Sequence, residues 1–575
     1  MRRLINATFV ALGLISTGAI AQTADTVYMN GKIYTVNEAQ PWAEAVALKD
    51  GKFLTVGTAA DVKAVTGSET EVIDLKGGFA MPGIVDVHIH PALLMAKRAF
   101  CALPGTFFEP TEEQIIDELK KCITNYPKDR KWFIAQGHSP SMMSKETLTR
   151  EFLDKLIPDR PAWIEDESGH NGWFNTLAMK AAGVDKDFKD TGEEFFSRTK
   201  DGDLAGVAYE GAMNPFVAVL PPFDTALKKI AFTKIMDEAL SKGITAFGDG
   251  YVFEGDLPAY EELHKEGKIN QHVVLYLKGN FGTAETTPVN TLLEWWSRHE
   301  LPGRKAIKIG MGGALESISE ALIDGYAPDA EAKPSPLPGD DNVPERNASP
   351  IIPAKEFADY IAKLDKAGFQ VMVHAIGDGA VRATLDGYEK VIKTNGNNRH
   401  RHRIDHCSLI HRDDFKRFVD LDVSCTIWPP LNAPISYNLN AIKPVLKPAT
   451  WARMYADRER WDAGIRLVFH TDAPAATLWP WFGMEASATR GFPGKPEKGK
   501  MGPEHALTVQ ELIKAYTINS AWSLHYEDIT GSIEKGKFAD MILLNQNLLE
   551  TPLTEIHKTK VLKTLFKGKV VYAAK

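Results

Sequence analysis

The sequence has few cysteines and no long basic runs. Cysteine occupies only four of the 575 positions, 101, 122, 407 and 425, and the spacing does not match a zinc ribbon. A Cys101–Cys122 disulfide can be drawn, but spacing alone does not establish it. The formal net charge of -8 and the pI near 6.1 argue against a dedicated nucleic-acid surface. We therefore expect a small-molecule partner and no nucleic acid.

Long hydrophobic runs are absent beyond the N-terminus. There, Arg2 and Arg3 precede an apolar stretch from Ile5 to Ile20, and Ala19-Ile20-Ala21 stands before Gln22. This pattern predicts a secretory signal peptide over residues 1–21, because the stretch is short for the alternative, a membrane anchor. The expectation is a periplasmic or secreted protein that has no membrane contact after cleavage.

The sequence as a whole is typical of a globular protein, with 44% hydrophobic and 25% charged residues. Its two ends, residues 22–80 and 531–575, both consist of short β-like runs, and Asn30-Gly31 and Asp50-Gly51 are hairpin signals. We predict that both ends join in one small β-sandwich domain. Two independent caps are the alternative, but each end alone is too small for a stable core.

Residues 81–530 contain eight apolar runs that end in polar residues, and helix-like stretches separate most of the later ones. The runs are "GIVDVHIH" from 83, "GITAFGDG" from 243, "HVVLYLKGN" from 272, "KAIKIGMGG" from 305, "FQVMVHAIG" from 369, "RHRIDHCSL" from 401, "DVSCTIWPP" from 422 and "GIRLVFHTDAP" from 464. Repeated alternation of strand and helix predicts an α/β protein with a (β/α)8 barrel of the TIM type.

Two segments exceed an ordinary connection of such a barrel. Residues 93–223 carry a helix signal, in which Thr111 and Gln114 have capping-box spacing, and two strand-like runs, "KWFIAQG" and "PAWIED". We predict an inserted α/β subdomain after the first barrel strand. The proline-rich residues 327–353 follow the fourth strand and form either a lid or a loose insertion.

Reactive groups of such barrels lie at the carboxyl ends of the strands. Five of the predicted strands carry metal-ligand types there or close by, namely His88, His90, Lys308, His374, His406 and Asp472. Each residue alone has an ordinary structural explanation, but together they indicate a metal site. Imidazole and carboxylate groups suit zinc, which lowers the pKa of a bound water to about 7.

Asp472 is then the expected proton acceptor, and lysine is the unusual member of the group. An ammonium group repels a cation, so Lys308 fits a metal site only if it is neutral or covalently converted to an anion.

Several motifs resemble the amidohydrolase superfamily. They are "MPGIVDVHIH", "VHAIGDGAVRATLDGYE", "HRIDHCSLI", "HTDAP" and the segment from "LTVQELIKAYTINSA" to "GSIEKGKFADMILL". The resemblance is to the amidohydrolase-3 branch, which includes N-substituted formamide deformylase-like and aminoacylase-like enzymes. It implies a metal-dependent barrel with a β-sandwich built from both termini.

The resemblance also implies roles for single residues. His88 and His90 would bind one Zn2+ with Asp472, and His374 and His406 would bind a second. Lys308 would carry a carboxyl group from carbon dioxide, as N6-carboxylysine, and bridge the two metals. Whether one or two metals bind stays open.

Further roles fall on residues around the metals. His406 or His170 would also help to orient the oxyanion. His170, Glu210 and Arg490 match substrate-binding positions; the alternatives are a surface histidine, a solvated glutamate and an arginine that holds a helix.

These observations together predict an exported, metal-dependent hydrolase that cleaves an amide-type C–N bond. Hydrolysis of an ester, a cyclic amide or an organophosphate is the alternative within enzymes, and a non-catalytic periplasmic binding protein is the alternative outside them. Trp428, Trp479 and Trp481 follow strand ends, so they either contact an apolar acyl or amine group or simply pack. The sequence leaves a homodimer open.

Overall fold

The chain folds into four β-sheets with helices around them. The computed structural model describes residues 22–92, 98–105, 110–138, 143–144, 146–166, 171–189, 195–280, 284–315, 318–328, 349–474 and 477–575. The predicted signal peptide and most of the proline-rich loop lie outside the described residues.

The strands are, in chain order, β1 Thr26–Met29, β2 Lys32–Tyr34, β3 Trp42–Ala43, β4 Ala45–Lys49, β5 Lys52–Gly57, β6 Glu71–Asp74, β7 Phe79–Pro82, β8 Ile84–Ile89, β9 Phe133–His138, β10 Ala162–Asp166, β11 Asn171–Phe174, β12 Phe195–Arg198, β13 Leu204–Tyr209, β14 Ile244–Val252, β15 His272–Lys278, β16 Ala306–Gly310, β17 Gln370–Ala375, β18 Arg403–His406, β19 Ser424–Ile427, β20 Leu467–Phe469, β21 Met541–Leu544, β22 Val561–Phe566 and β23 Lys569–Ala573.

The α-helices are, in chain order, α1 Ala59–Lys63, α2 Glu112–Asn125, α3 Arg150–Leu156, α4 Thr176–Ala182, α5 Asn214–Val219, α6 Thr225–Ser241, α7 Leu257–Lys265, α8 Val289–Arg298, α9 Ala354–Lys366, α10 Asp378–Asn395, α11 Phe415–Asp420, α12 Pro448–Trp451, α13 Asp457–Asp462, α14 Pro480–Thr489, α15 Val509–Lys514 and α16 Ser520–Ser523. No helix of the described residues combines the length and the apolar character needed to cross a bilayer.

The largest sheet is the barrel. Its eight parallel strands follow the order β20-β19-β18-β17-β16-β15-β14-β8, and each overlaps one of the eight predicted runs. All six residues of β8 are buried, as expected for a parallel strand that is covered on both faces. Beyond the last strand, Asp472 N donates to His88 O at 3.1 Å and His90 N donates to Ala473 O at 2.6 Å. These bonds join the two ends of the sheet.

The two ends of the chain share a sheet, as predicted. β21–β23 from the C-terminal end pair with β7, β2 and β3 in one six-stranded sheet, and β1, β4, β5 and β6 form a second, four-stranded sheet. At the N-terminal end of the barrel, His272 Nε2 lies 2.8 Å from Asp540 Oδ2, which links β15 to this small domain. The predicted fold class, a barrel with a β-domain from both termini, is confirmed.

The inserted segment has a sheet of its own, β12-β13-β11-β10-β9. α2 begins with the predicted capping box, since Thr111 Oγ1 accepts from Gln114 N and Gln114 Oε1 accepts from Thr111 N. Cys101 and Cys122 form a disulfide between this helix and the chain that leaves the first barrel strand, which resolves what the spacing left open. Cys407 and Cys425 are free and buried.

Candidate metal centre

The carboxyl ends of the barrel strands bring six side chains to one cavity. The cavity measures about 170 Å³, and all six predicted metal-site residues line it: His88, His90, Lys308, His374, His406 and Asp472. They come from β8, β16, β17 and β18 and from the residues after β8 and β20. Residues almost four hundred positions apart in the sequence therefore meet at one mouth of the barrel.

The opening histidine pair lies against Asp472. His88 Nε2 and His90 Nε2 are 3.0 Å apart, and Asp472 Oδ1 lies 3.6 Å from the first and 3.1 Å from the second. Lone pairs on two ring nitrogens and a carboxylate oxygen repel one another at these distances. A cation or a proton shared between the atoms relieves this repulsion. The seam of the barrel holds the three residues together, because the backbone of His88 and that of Asp472 are hydrogen bonded.

Two of the six residues have left-handed backbone. φ is +73° at His406 and +59° at Asp472, although neither residue is glycine. Such conformations are uncommon for side-chain-bearing residues and are concentrated at functional sites. At His406 the conformation ends the regular alternation of β18, so that the adjacent Asp405 and His406 both serve the site.

His374 and His406 form a second group. Their ring centroids are 4.6 Å apart, and the ring of His406 lies 5.3 Å from that of His88. His374 Nε2 is 3.0 Å from the carbonyl oxygen of Gly313. A carbonyl only accepts, so we assign the ring proton to Nε2, which leaves the lone pair of Nδ1 for a ligand.

His470 belongs to the cluster and was not predicted. Its ligand atoms and those of His88 and Asp472 all lie within 4.8 Å of one another. The ring of His470 stacks on that of His88, with centroids 5.1 Å apart. The residue stands in the quoted motif "HTDAP", two positions before Asp472, and its match to the same strand end was the available signal.

Asp405 is the second residue that sequence reasoning missed. Its Oδ2 lies 2.7 Å from His88 Nδ1 and 2.9 Å from Lys308 Nζ, while Arg403 Nε donates to its Oδ1 at 2.8 Å. All four side chains are at most 1% exposed. The carboxylate thus lies beneath the predicted ligands.

The protonation states fit metal ligands. Burial, followed by the charge of Lys308, lowers the pKa of His374 to about 4, and burial lowers that of His470 to about 4. Burial also lowers the pKa of Lys308, against the attraction of Asp405. For Asp472, burial raises the pKa, but the hydrogen bond with His90 and the neighbouring imidazoles outweigh it and hold the pKa well below its ordinary value. Neutral imidazoles beside an ionised carboxylate are what a divalent cation requires.

Two observations test whether the residues fit a metal. Both ring nitrogens of His470 and the Nδ1 of His90 are buried without a hydrogen-bond partner among the described residues, which is rare for buried polar atoms. Gly250 keeps the space beside the pair open, since a Cβ there would lie 2.4 Å from His88 Nε2. The donor set of imidazole nitrogens and one carboxylate suits Zn2+. The residues fit the group.

The walls of the cavity differ from its floor. They consist of Leu315, Ile376, Ser408, Trp428, Leu431, Tyr437, Ile442 and Tyr455. Trp428 therefore lines the site, whereas Trp481 is buried in the main core and Trp479 packs against that core. Among the described lining residues, Lys308 is the sole cationic side chain, and it lies at the floor.

Of the three predicted substrate-binding residues, Arg490 has a described side chain, and it does not line this cavity. Arg490 is buried, its Nε donates to the carbonyl of Met501 at 2.9 Å, and it is not among the lining residues. Burial lowers its pKa to about 10. These contacts match the alternative of an arginine that holds local structure. His170 lies outside the described residues, and so does the side chain of Glu210, which begins a short 3-10 helix after β13.

The fold and the candidate ligands at the strand ends are those of a barrel of the metal-dependent hydrolase type, and comparisons with known proteins agree. A model of the amidohydrolase family matches residues 71–572. The N-substituted formamide deformylase of Arthrobacter pascens is 23% identical over 96% of this chain and 99% of that protein. The exoenzymes regulatory protein AepA of Pectobacterium carotovorum is 31% identical over 67% of this chain and 80% of that protein.

Among solved structures, an uncharacterized metal-dependent hydrolase from Pyrococcus horikoshii has a TM-score of 0.70 at 22% identity, and the likeness covers 92% of this chain and 99% of that one. The chain belongs to the amidohydrolase family.

Proposed function

We propose that this protein is a metal-dependent amidohydrolase that cleaves an amide-type C–N bond of a small molecule. The observation that carries the proposal is the convergence of His88, His90, Lys308, His374, His406 and Asp472 on one small cavity at the carboxyl ends of the barrel strands. Family membership supports hydrolysis. The amide bond is our inference from the relatives.

The histidines would hold one or two divalent cations, with Zn2+ as the best fit to nitrogen ligands. A bound cation would polarise a substrate carbonyl and lower the pKa of water to about 7. Asp472, ionised beside His90, would accept a proton at its carboxylate and pass it to the departing nitrogen. His406, which also lines the cavity, would orient the substrate carbonyl oxygen.

Lys308 has two roles open to it in this scheme. Its buried Nζ lies 2.9 Å from Asp405 Oδ2, and burial lowers its pKa, which favours the neutral amine that reacts with carbon dioxide. As N6-carboxylysine it would add carboxylate ligands to the cavity and would keep one N–H for Asp405. Crystallographic density at Nζ would decide between the carboxylated and the free amine.

The cavity walls narrow the substrate. A volume of about 170 Å³ is below the range of roughly 300 Å³ and more found for drug-sized ligands. The walls are largely apolar and include Trp428, and burying a charged substituent against apolar surface costs several kcal/mol. We propose a small, neutral substrate with an apolar or aromatic acyl or amine group.

We also propose that the mature protein works outside the cytoplasm. The N-terminal sequence supports export, and the Cys101–Cys122 disulfide is of the kind that persists in oxidising compartments.

The test uses the purified mature chain, its metal content, and a panel of matched neutral amides, esters, lactams and N-acyl amino acids. We expect the purified protein to contain a divalent metal such as Zn2+. We also expect turnover of neutral amides, which stops after chelation and returns when the metal is added back. Full turnover after complete chelation would overturn the proposal, and so would turnover confined to esters.

A further inference from the structure

Beneath the candidate ligands lies one carboxylate that contacts two of them from across the barrel. Asp405 Oδ2 is 2.7 Å from His88 Nδ1, on the first strand, and 2.9 Å from Lys308 Nζ, on the fourth. The residue itself stands on the sixth strand, where it is the register neighbour of His374. A single oxygen atom thus connects side chains from three of the eight strands.

The carboxylate is itself fixed from behind. Arg403 Nε donates to Asp405 Oδ1 at 2.8 Å, and Arg403 Nη2 donates to the carbonyl of Val87 at 3.0 Å. The guanidinium carbon lies 4.8 Å from the ring centroid of Tyr276. Arg403 therefore ties the carboxylate to the strand that carries His88 and leaves Oδ2 to face the ligands.

The position of Asp405 determines what His88 can do. A neutral imidazole has one N–H, and a carboxylate oxygen beside Nδ1 draws the proton to that nitrogen. Nε2, which faces His90 and Asp472, is then left with a lone pair. Lys308 keeps an N–H toward the same oxygen whether it is a free amine or a carboxylated one.

We infer that Asp405 is a positioning residue that assembles the metal centre, because it fixes the tautomer of His88 and the place of Lys308 through one shared oxygen. The inference rests on the proposed function only in treating the cavity as a metal site. Outer partners of this kind typically change metal affinity about 10–100-fold when they are lost.

Asp405→Asn tests the inference. It replaces one oxygen by an NH2 group, so the side chain cannot present an oxygen to Arg403 at one end and to His88 and Lys308 at the other. The measurement is titration of chelator-stripped protein with Co2+, followed by its visible absorption, together with zinc content and thermal unfolding. We expect the Kd for Co2+ to rise about 10–100-fold and the absorption spectrum to change.

Asp540→Asn is the matched control. It alters a buried aspartate that lies 2.8 Å from His272 Nε2, at the opposite end of the barrel. We expect it to lower the unfolding temperature and to leave the Kd for Co2+ within twofold of the wild type. A structural role for Asp405 would give the same pattern in Asp405→Asn, and that result would overturn the inference.

If Asp405→Asn does not fold, Asp405→Glu takes its place, because it keeps the charge and the acceptors but moves both oxygens. The same rise in Kd supports the inference, and wild-type affinity overturns it. The wild-type titration separates the two proposals. Wild-type protein that binds no metal overturns the proposed function and this inference together, whereas normal binding in both wild type and variant overturns this inference alone.

Discussion

Two buried histidine–aspartate pairs lie at opposite ends of the same barrel. His88 is 2.7 Å from Asp405 at the mouth, and His272 is 2.8 Å from Asp540 at the other end. Around His272 the neighbouring rings are aromatic, those of Tyr526, Phe538 and Phe566. Around His88 the neighbours are three more histidines and Asp472.

The distances of the two pairs are nearly equal, so the pair itself does not mark a site. The difference lies in the second ring nitrogen. At the mouth, Nε2 of His88 faces other ligand atoms, whereas at the base the pair joins β15 to the small β-domain. A single buried histidine–aspartate contact therefore does not indicate a metal site. The convergence of several metal-ligand side chains does.

The largest expected effect is the loss of turnover in Asp472→Asn. The amide keeps the size of the side chain but cannot take up a proton, so kcat should fall by at least about 10³-fold. Steady-state assays on the best amide of the panel measure this loss. Asp540→Asn, at the other end of the barrel, should keep at least half of the activity. A tenth or more of wild-type activity in Asp472→Asn would remove the difference between the two ends.

Next comes acid sensitivity of the metal-free protein. Burial lowers the pKa of His374 and His470 to about 4, so in the folded state they stay neutral where unfolded histidines, with pKa near 6.5, take up protons. Their stabilising contribution is complete above the unfolded pKa and is lost as the pH falls from about 6.5 toward 4. Each residue contributes at most about 3 kcal/mol.

Urea unfolding at pH 7.5 and at pH 5 measures this slope. His470→Gln should flatten it, because glutamine does not titrate. If the free energy of unfolding of His470→Gln falls with pH as steeply as that of the wild type, His470 does not contribute to the acid sensitivity.

Loss of the His272–Asp540 pair should lower the stability of the protein without changing its metal binding. Asp540→Ala leaves His272 buried without its acceptor, which should lower the free energy of unfolding by about 2 kcal/mol. Metal content and Kd for Co2+ should match those of the wild type. Lost metal in this variant would mean that the two ends of the barrel are coupled.

The smallest effect is expected from one methyl group at the mouth. In Gly250→Ala the added Cβ would lie 2.4 Å from His88 Nε2, so the imidazole must shift, and the Kd for Co2+ should rise by about tenfold. Gly255→Ala is the matched control, since its Cβ would meet only Lys228 Nζ, at 3.5 Å. Equal Kd values for Co2+ in the two variants would mean that metal binding does not need the space that Gly250 leaves beside His88 and His90.

Much of this candidate site could be predicted because most of its residues lie at the ends of apolar runs. His88, Lys308 and His374 sit on strands of regular alternation, so their spacing and residue type place them at the mouth. Asp405 and His470 were not assigned in this way, although His470 ends the same run as Asp472. Asp405 precedes His406, and His470 lies two residues before Asp472; both His406 and Asp472 have left-handed backbone. A left-handed residue interrupts the alternation of side chains between the two faces of a strand, so alternation no longer predicts which side chains face the site.

Arg490 is a residue for which the prediction and the described contacts differ. Its place in a family motif predicted a substrate contact, but the described structure buries it against the carbonyl of Met501. The position of a residue in a motif does not indicate the direction of its side chain beyond a helix end. Arg490 directly follows the last residue of α14 and has a φ of +59°. For the fold, by contrast, hydrophobic runs sufficed, since burial of both faces of each barrel strand leaves a strong signal.

The backbone bonds between residues 88–90 and 472–473 bring the first and the last of the candidate ligands together only where the eighth strand has docked on the first. Synthesis delivers the opening histidine pair early and Asp472 only after most of the barrel exists. Until the eighth strand docks on the first, no partial product can hold the full ligand set. The candidate metal centre is therefore complete only in a chain whose ring of barrel strands is closed.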